Sequence, residues 1–517
     1  MQNKPRKGIV AAGHSETAEA ARLILAEGGN AFDAVLAGLL AACVAEPVLA
    51  SLGGGGFLMA KPSGHAPCLY DFFVHTPKRR ADPAEVEFYG ITADFGPVQQ
   101  EFHIGAGAIA TPGVVKGLFG VHRDLGAMPL AEIAAPALAL ARDGVVTNAF
   151  QADIFRIVAP VYLSGEATKC LFGRPDGEQG LAGEGDRLRN PEFADALDSL
   201  VHEGEDLFYR GEIGARLANH CHDSGGLLSR DDLRDYRLER RAPLRVRYRD
   251  GEIHTNPPPS SGGVLIAFAL DLLHDSRLYE DGLGSTSHLQ TLIRVMDLTQ
   301  EARLAAAARG RPLAGVREPE SVDLYRRKLA GRTRNNRGTT QISVADGLGN
   351  FASLTVSNGE GSGYLIPQTG ISMNNMLGEA DLHPQGFHRW NPDERIVSMM
   401  SPTLVSYPDG AVVATGSGGS NRIRTALLQV LSNLLDFRVE LEQAVVLPRV
   451  HYEDGFLNVE AGFHPERVQR LLEGYPRHKL WPDTHLFFGG AHSVARLADG
   501  RFVGQGDPRR GGVHLTA

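Results

Sequence analysis

The segment Gly331-Arg332-Thr333-Arg334-Asn335-Asn336-Arg337-Gly338 contains no apolar side chain and cannot be core, so any fold of this chain is interrupted there. It runs directly into Thr339-Thr340-Gln341-Ile342-Ser343-Val344-Ala345-Asp346, which reads as a strand. Residues 351–356 read as a second strand, joined to the first through the turn Asp346-Gly347-Leu348-Gly349-Asn350. A hydroxyl residue therefore stands at the mouth of a hairpin, behind a polar, basic linker. If the bond before Thr339 is cut, that residue owns both a hydroxyl and a free α-amino group. Such an amine titrates near ~8 and can act as the base that activates the hydroxyl. A Thr-Thr pair opening a strand is by itself an ordinary β-former. Its surroundings decide.

The chain of 517 residues is 43% hydrophobic and 22% charged, the composition of a soluble globular protein. Its formal charge of -9 gives no reason to expect nucleic acid as a partner. Cys43, Cys68, Cys170 and Cys221 lie far apart with no zinc spacing, and are expected to be buried free thiols in a reducing compartment. The opening residues are basic but lead into no apolar run, so no signal peptide is read. Residues 34–45 are apolar but far too few to span a membrane, and read as a buried helix. These signs together lead us to expect a cytoplasmic protein with no membrane partner.

Residues 15–29 read as an amphipathic helix stopped by Gly28-Gly29, and the apolar helix after it ends at Pro47. Residues 130–235 look helix-rich, and 288–303 carry Leu289, Leu292, Ile293 and Met296 at helical spacing. From Thr339 the texture changes to short β-type runs, with a helix over 425–435. The polar linker thus divides a helix-rich half, 1–338, from a strand-rich half, 339–517.

Several local motifs have ordinary readings. Gly53-Gly54-Gly55-Gly56 lacks the Lys-Ser/Thr of a phosphate loop, and close backbone packing is expected instead. Gly105-Ala106-Gly107-Ala108 fits a loose dinucleotide fingerprint but shows no clear buried strand before it. His220-Cys221-His222 is the densest cluster of metal-ligand types, yet no complementary pair stands nearby and a helix-end surface position is expected. No metal site and no cofactor are read from the sequence.

Two other segments bear on Thr339. Ser357-Asn358-Gly359-Glu360-Gly361-Ser362-Gly363 follows the hairpin's second strand, whose end must return beside Thr339. A hydroxyl there can support the nucleophile, and an amide can hold substrate. Thr415-Gly416-Ser417-Gly418-Gly419-Ser420-Asn421-Arg422 is a glycine loop ahead of a helix, able to aim backbone N–H groups at an oxyanion.

Taken with Leu52-Gly53-Gly54-Gly55-Gly56-Phe57, Thr111-Pro112-Gly113, Asn256-Pro257-Pro258-Pro259-Ser260-Ser261-Gly262-Gly263, Met373-Asn374-Asn375-Met376, Met400-Ser401-Pro402-Thr403 and Asp507-Pro508-Arg509, these segments resemble the γ-glutamyltranspeptidase family of N-terminal nucleophile hydrolases, nearly end to end. The resemblance implies an α/β (α+β) four-layer αββα sandwich, built from two chains cleaved from one precursor. It implies self-cleavage between Gly338 and Thr339, giving a large subunit 1–338 and a small subunit 339–517. Thr339 would be the nucleophile, Ser357 its supporting hydroxyl, and Gly418, Gly419 and Ser420 the oxyanion loop, one position out of the usual register. Asn358, Glu379 and Ser398 fall where family members hold substrate, Glu379 at the position of a carboxylate that grips an α-amino group.

The sequence departs from the family at Phe73, where glutamyl enzymes carry an arginine that clamps the α-carboxylate, and at Met399, where a second serine is usual. Losing one partner of a buried charge pair typically costs ~2–5 kcal/mol. Lys78, Arg79 and Arg80 are the nearby cations that could compensate, but a solvated basic turn is the expected reading. The segment 378–395 is short, implying a site without the family's lid. The expected activity is a self-processing acyl or γ-glutamyl hydrolase or transferase acting on a small amide. The alternatives are an amidohydrolase of the oxamate or cephalosporin-acylase kind, and a non-catalytic binding protein on the same fold. The partners implied are the amide substrate, the two subunits of one precursor, and further copies of the processed heterodimer.

Overall fold

The hairpin after residue 338 lies at the centre of a seven-stranded sheet. The computed structural model describes residues 7–94, 99–276, 278–328, 339–383 and 385–517, so the expected linker and Gly338 lie outside the described residues. The strand order is Val513–Thr516, Gly8–Ala12, Thr340–Asp346, Phe351–Ser357, Gly55–Lys61, Cys68–Phe72, Glu239–Arg241. A six-stranded sheet runs Phe502–Gln505, Ser493–Arg496, Val412–Thr415, Thr403–Ser406, Gly251–Thr255, Leu244–Tyr248. Neighbouring strands are antiparallel in both.

The two sheets face each other, and the side-chain alternation of the central hairpin shows how. Ile342, Val344, Leu354 and Val356 point into the core formed with helices Ser15–Glu27 and Ala31–Ala45. The intervening Ser343 donates to the carbonyl of His492 at 2.8 Å, and Ser353 to that of Thr415 at 2.8 Å, both on the second sheet's side. Gln341 bridges these serines through Nε2, at 3.0 and 2.9 Å. The seam between the sheets is therefore polar but satisfied, as burial requires. Helices Ser261–Leu273, Thr286–Ala308 and Arg422–Leu435 cover the outer face of the second sheet, completing four layers.

Local chemistry accounts for the covering helices. Ala31–Ala45 is buried almost all round, which its apolar composition demands, and Asn30 with Asp33 forms a capping box at its start. Among the described residues, no helix is long and apolar enough to cross a membrane.

Strands from both sides of residue 338 contribute to both sheets. Gly8–Ala12 pairs in register with Thr340–Asp346, and Gly251–Thr255 with Thr403–Ser406. The texture change read at Thr339 marks no boundary between folding units.

Two sequence expectations need correction. Cys43 and Cys221 are buried, but Cys68 is half-buried and Cys170 is exposed on the short helix Glu166–Phe172. The strand before Gly105, Gln99–Ile104, belongs to a separate two-stranded hairpin with Glu101 exposed, and leads into a single 3-10 turn, so the fingerprint lacks both a buried strand and its helix. His220-Cys221-His222 does end a helix, Glu212–Asp223, but Cys221 packs inward rather than at the surface.

Candidate active site

The alternation that sends Ile342 and Val344 to the helix layer sends Thr339, two places before Gln341, to the face between the sheets. Thr340 pairs with Val356, so Thr339 stands beside Ser357 at the end of the partner strand. The two line one cavity of about 340 Å³ of empty space, part of it open to solvent. Ser398 and Ser420 add two further hydroxyls to its wall, and Glu379 and Asp381 add carboxylates. The rest is apolar and includes Phe73, Met376, Met399 and Ile423. No lysine, arginine or histidine is among the described residues that line it.

Close backbone approach fixes several of these positions. A Cβ on Gly418 would stand 1.9 Å from the Thr339 carbonyl oxygen, so the glycine loop seats directly on the Thr339 backbone. The same oxygen accepts a hydrogen bond from Arg510 Nη1 at 3.1 Å. Gly53 and Gly54 pack against the backbone of Ser372 and Ser357, with added Cβ atoms at 2.3 and 2.4 Å from their carbonyl oxygens. The four-glycine run is packing, as its sequence implied.

Thr340 faces the other way. Its Oγ1 donates to Glu46 Oε2 at 2.7 Å, and Thr17 Oγ1 donates to Oε1 of the same carboxyl at 2.8 Å. Glu46 is fully buried, and burial pushes its pKa above the usual carboxylate range. Burial likewise lowers the Arg510 guanidinium to about 10. Neither Glu46 nor Arg510 was found from the sequence. The only signal for Glu46 was an acid set between an apolar helix and Pro47.

The remaining expected residues are placed as follows. Ser357 Oγ accepts from the Gly359 amide at 3.0 Å. Asn358 does not line the cavity; its Nδ2 lies 3.4 Å from Ser372 Oγ, and its Oδ1 has no hydrogen-bond partner among the described residues. Gly359, at φ 64°, leaves room for Glu379, whose Oε1 would lie 2.8 Å from a Cβ there. Ser398 Oγ accepts from the Met400 amide at 3.1 Å. Ser420 takes the left-handed conformation, φ 51°, and donates to Asp381 Oδ2 at 3.0 Å. Gly418 donates its amide to Gly490 O at 3.2 Å, which commits the first amide of the expected oxyanion loop to structure. The amides of Gly419 and Ser420 follow it.

Phe73 is 1% exposed and stacks on Phe57, with centroids 5.4 Å apart. Lys78 pairs with Asp235, Arg79 donates to the Gly226 carbonyl, and Arg80 lies over Trp390. None of the three lines the cavity, and Arg79 and Arg80 are exposed, as expected of a solvated basic turn. Arg395 does approach Phe73, but from behind. It holds the Phe73 carbonyl and Tyr236, and its Nε lies 3.4 Å from the buried Asp71.

Comparison with known proteins matches this chain, over residues 17–517, to the family described as gamma-glutamyltranspeptidase. The chain is 31% identical to the acylase ACY 1 proenzyme of Pseudomonas sp. (strain SE83), over 96% of this chain and 91% of the relative. It is 28% identical to the glutathione hydrolase proenzyme of Escherichia coli (strain K12), over 98% of this chain and 91% of that protein. Its fold superposes on the crystal structure of cephalosporin acylase from Bacillus halodurans with a TM-score of 0.85, at 23% identity, covering 100% of this chain and 98% of the other.

Proposed function

This chain belongs to the gamma-glutamyltranspeptidase family, and we propose that it is a self-processing threonine amidohydrolase or acyltransferase for acyl groups that carry no carboxylate. Thr339 Oγ first attacks the Gly338 carbonyl; the backbone amide becomes an ester, and water cleaves it. This leaves subunits 1–338 and 339–517, with Thr339 as a new amino terminus. Proenzyme names among the relatives support this reading.

In turnover, Thr339 Oγ attacks the substrate's amide carbonyl while its own α-amine takes the proton. That proton passes to the departing amine as the C–N bond breaks, leaving an acyl ester on Thr339. Water, or an acceptor amine, then releases the acyl group. The Gly419 and Ser420 amides are the proposed oxyanion donors, each worth up to about 3 kcal/mol. Ser357 supports the nucleophile, and Ser398 and Glu379 hold the acyl group.

The observation that carries the acyl preference is Phe73 in a cavity with no basic lining among the described residues. A carboxylate there would be desolvated without a partner, at a cost of about 2–5 kcal/mol. The second reading, release of γ-glutamyl groups, rests on the family's description and on overall likeness to the glutathione hydrolase proenzyme of Escherichia coli. The two separate in one assay. The 4-nitroanilides of γ-glutamate and of 4-aminobutanoate differ only in the α-carboxylate. Faster release from the second supports the proposal; faster γ-glutamyl release refutes it. Thr339→Ala should abolish both processing and turnover.

A further inference from the structure

A second cavity, of about 640 Å³ of empty space and open on one side, adjoins the first. Leu382 lines both, and the turn Ala380–Leu382 forms the partition; the Leu382 amide donates to the Glu379 carbonyl at 3.0 Å. The two cavities differ sharply in chemistry. The first carries Glu379 and Asp381 and no described base. The second is lined by Trp390, Arg389, Arg395, Gln385 and Ile396, with one carboxylate, Glu394.

The charges around this second cavity can be followed one by one. The Arg395 guanidinium is buried and committed to Asp71, Glu239 and the carbonyls of Phe73 and Arg237, so it offers the cavity no free charge. Arg80 adds a guanidinium 5.5 Å from the Trp390 ring centroid. Glu394 is held by Asn391 Nδ2, 3.2 Å from each carboxylate oxygen, and Asp393 lies 3.7 Å from His75. Arg389 is exposed at the cavity wall and supplies a cation toward the opening. An aromatic surface with the Arg80 guanidinium over it and Arg389 on the same cavity wall suits a planar ligand with an anionic group.

We propose that this second cavity receives the amine side of the substrate, and that it selects a planar amine bearing a carboxylate. The inference rests on the reading of Thr339 as nucleophile, because an amide bond held at Thr339 has its acyl part in the first cavity. Its amine part must then leave past Leu382. The same surface would seat an acceptor amine in transfer, so that substrate charge is divided: none negative on the acyl side, one negative on the amine side.

The test uses 4-aminobenzoate and aniline as probes, titrated calorimetrically into the full-length protein and into Arg389→Ala, Trp390→Ala and Thr339→Ala, each checked by thermal melting. We expect 4-aminobenzoate to bind about tenfold tighter than aniline, the gap to close in Arg389→Ala, and both probes to weaken in Trp390→Ala. Thr339→Ala should bind both as the parent does. Equal affinity of the two probes, no binding of either, or a gap unchanged by Arg389→Ala overturns the proposal. If Thr339→Ala keeps its turnover, the nucleophile reading fails on its own, and probe binding still decides the second cavity.

Discussion

Thr340 Oγ1 and Glu46 Oε2 meet at 2.7 Å across 294 positions of sequence, both buried, one residue beyond Thr339. The carboxyl also accepts from Thr17, so one buried acid ties the first strand of the proposed small subunit to the N-terminal helix Ser15–Glu27. Glu46→Ala should destabilise the protein by about 2–4 kcal/mol, since two buried hydroxyls lose their acceptor. Glu46→Gln retains an acceptor and should cost less than half of that. Urea unfolding of the two variants checks the order.

Gly418→Ala places a methyl group where the Thr339 carbonyl oxygen lies, at 1.9 Å. The Thr339 backbone must shift, and a displacement of about 1 Å costs on the order of 100-fold in rate. Turnover should therefore fall at least that far while the circular dichroism spectrum is retained. Normal activity would show that Thr339 is not the reacting residue.

Phe73→Arg should raise the ratio of γ-glutamyl to 4-aminobutanoyl release by about tenfold, because it supplies a cation to a cavity wall that has none among its described residues. The substitution also removes the stack on Phe57, so a lower melting temperature is expected alongside. An unchanged ratio in a folded variant would remove Phe73 from the account of specificity.

His492 is fully buried, and burial lowers its pKa to about 4. The unfolded chain titrates near 6.5, so between these values the unfolded state binds more protons and stability rises with pH. The contribution is complete above about pH 6.5 and is lost as pH falls toward 4. For His492 alone this amounts to about 2 kcal/mol between pH 7 and pH 5. His14 and His288, also lowered to about 4 by burial, act in the same direction. Glu46 opposes them, since its raised pKa removes stability as pH rises past the ordinary carboxylate range. Urea midpoints at pH 5, 6 and 7 in His492→Gln should show a flatter rise than in the parent.

The part of the site that lies on the hairpin was legible because period-two alternation and a short turn fix it. Thr339 and Ser357 face the same way as Gln341 and Thr355, and the turn at 346–350 sets the register that brings them together. The glycine run at 53–56 was legible as packing for a similar reason, since glycines without a phosphate-loop lysine point to close backbone approach. Glu46 and Arg510 were not legible. Their bonds to Thr340 and to Thr339 span 294 and 171 residues, and no local pattern reports a partner at that distance. The exposure of Cys170 was missed because it depends on which face of a seven-residue helix meets the core. The commitment of the Gly418 amide was missed because Gly490, its acceptor, is 72 positions away (490 − 418).

The most direct measurement is intact-mass analysis of the purified protein with N-terminal sequencing of each fragment. The account predicts two chains, the smaller beginning Thr-Thr-Gln-Ile, and a single uncut chain without activity for Thr339→Ala. Turnover by an uncut parent chain, or a new terminus anywhere other than Thr339, contradicts it.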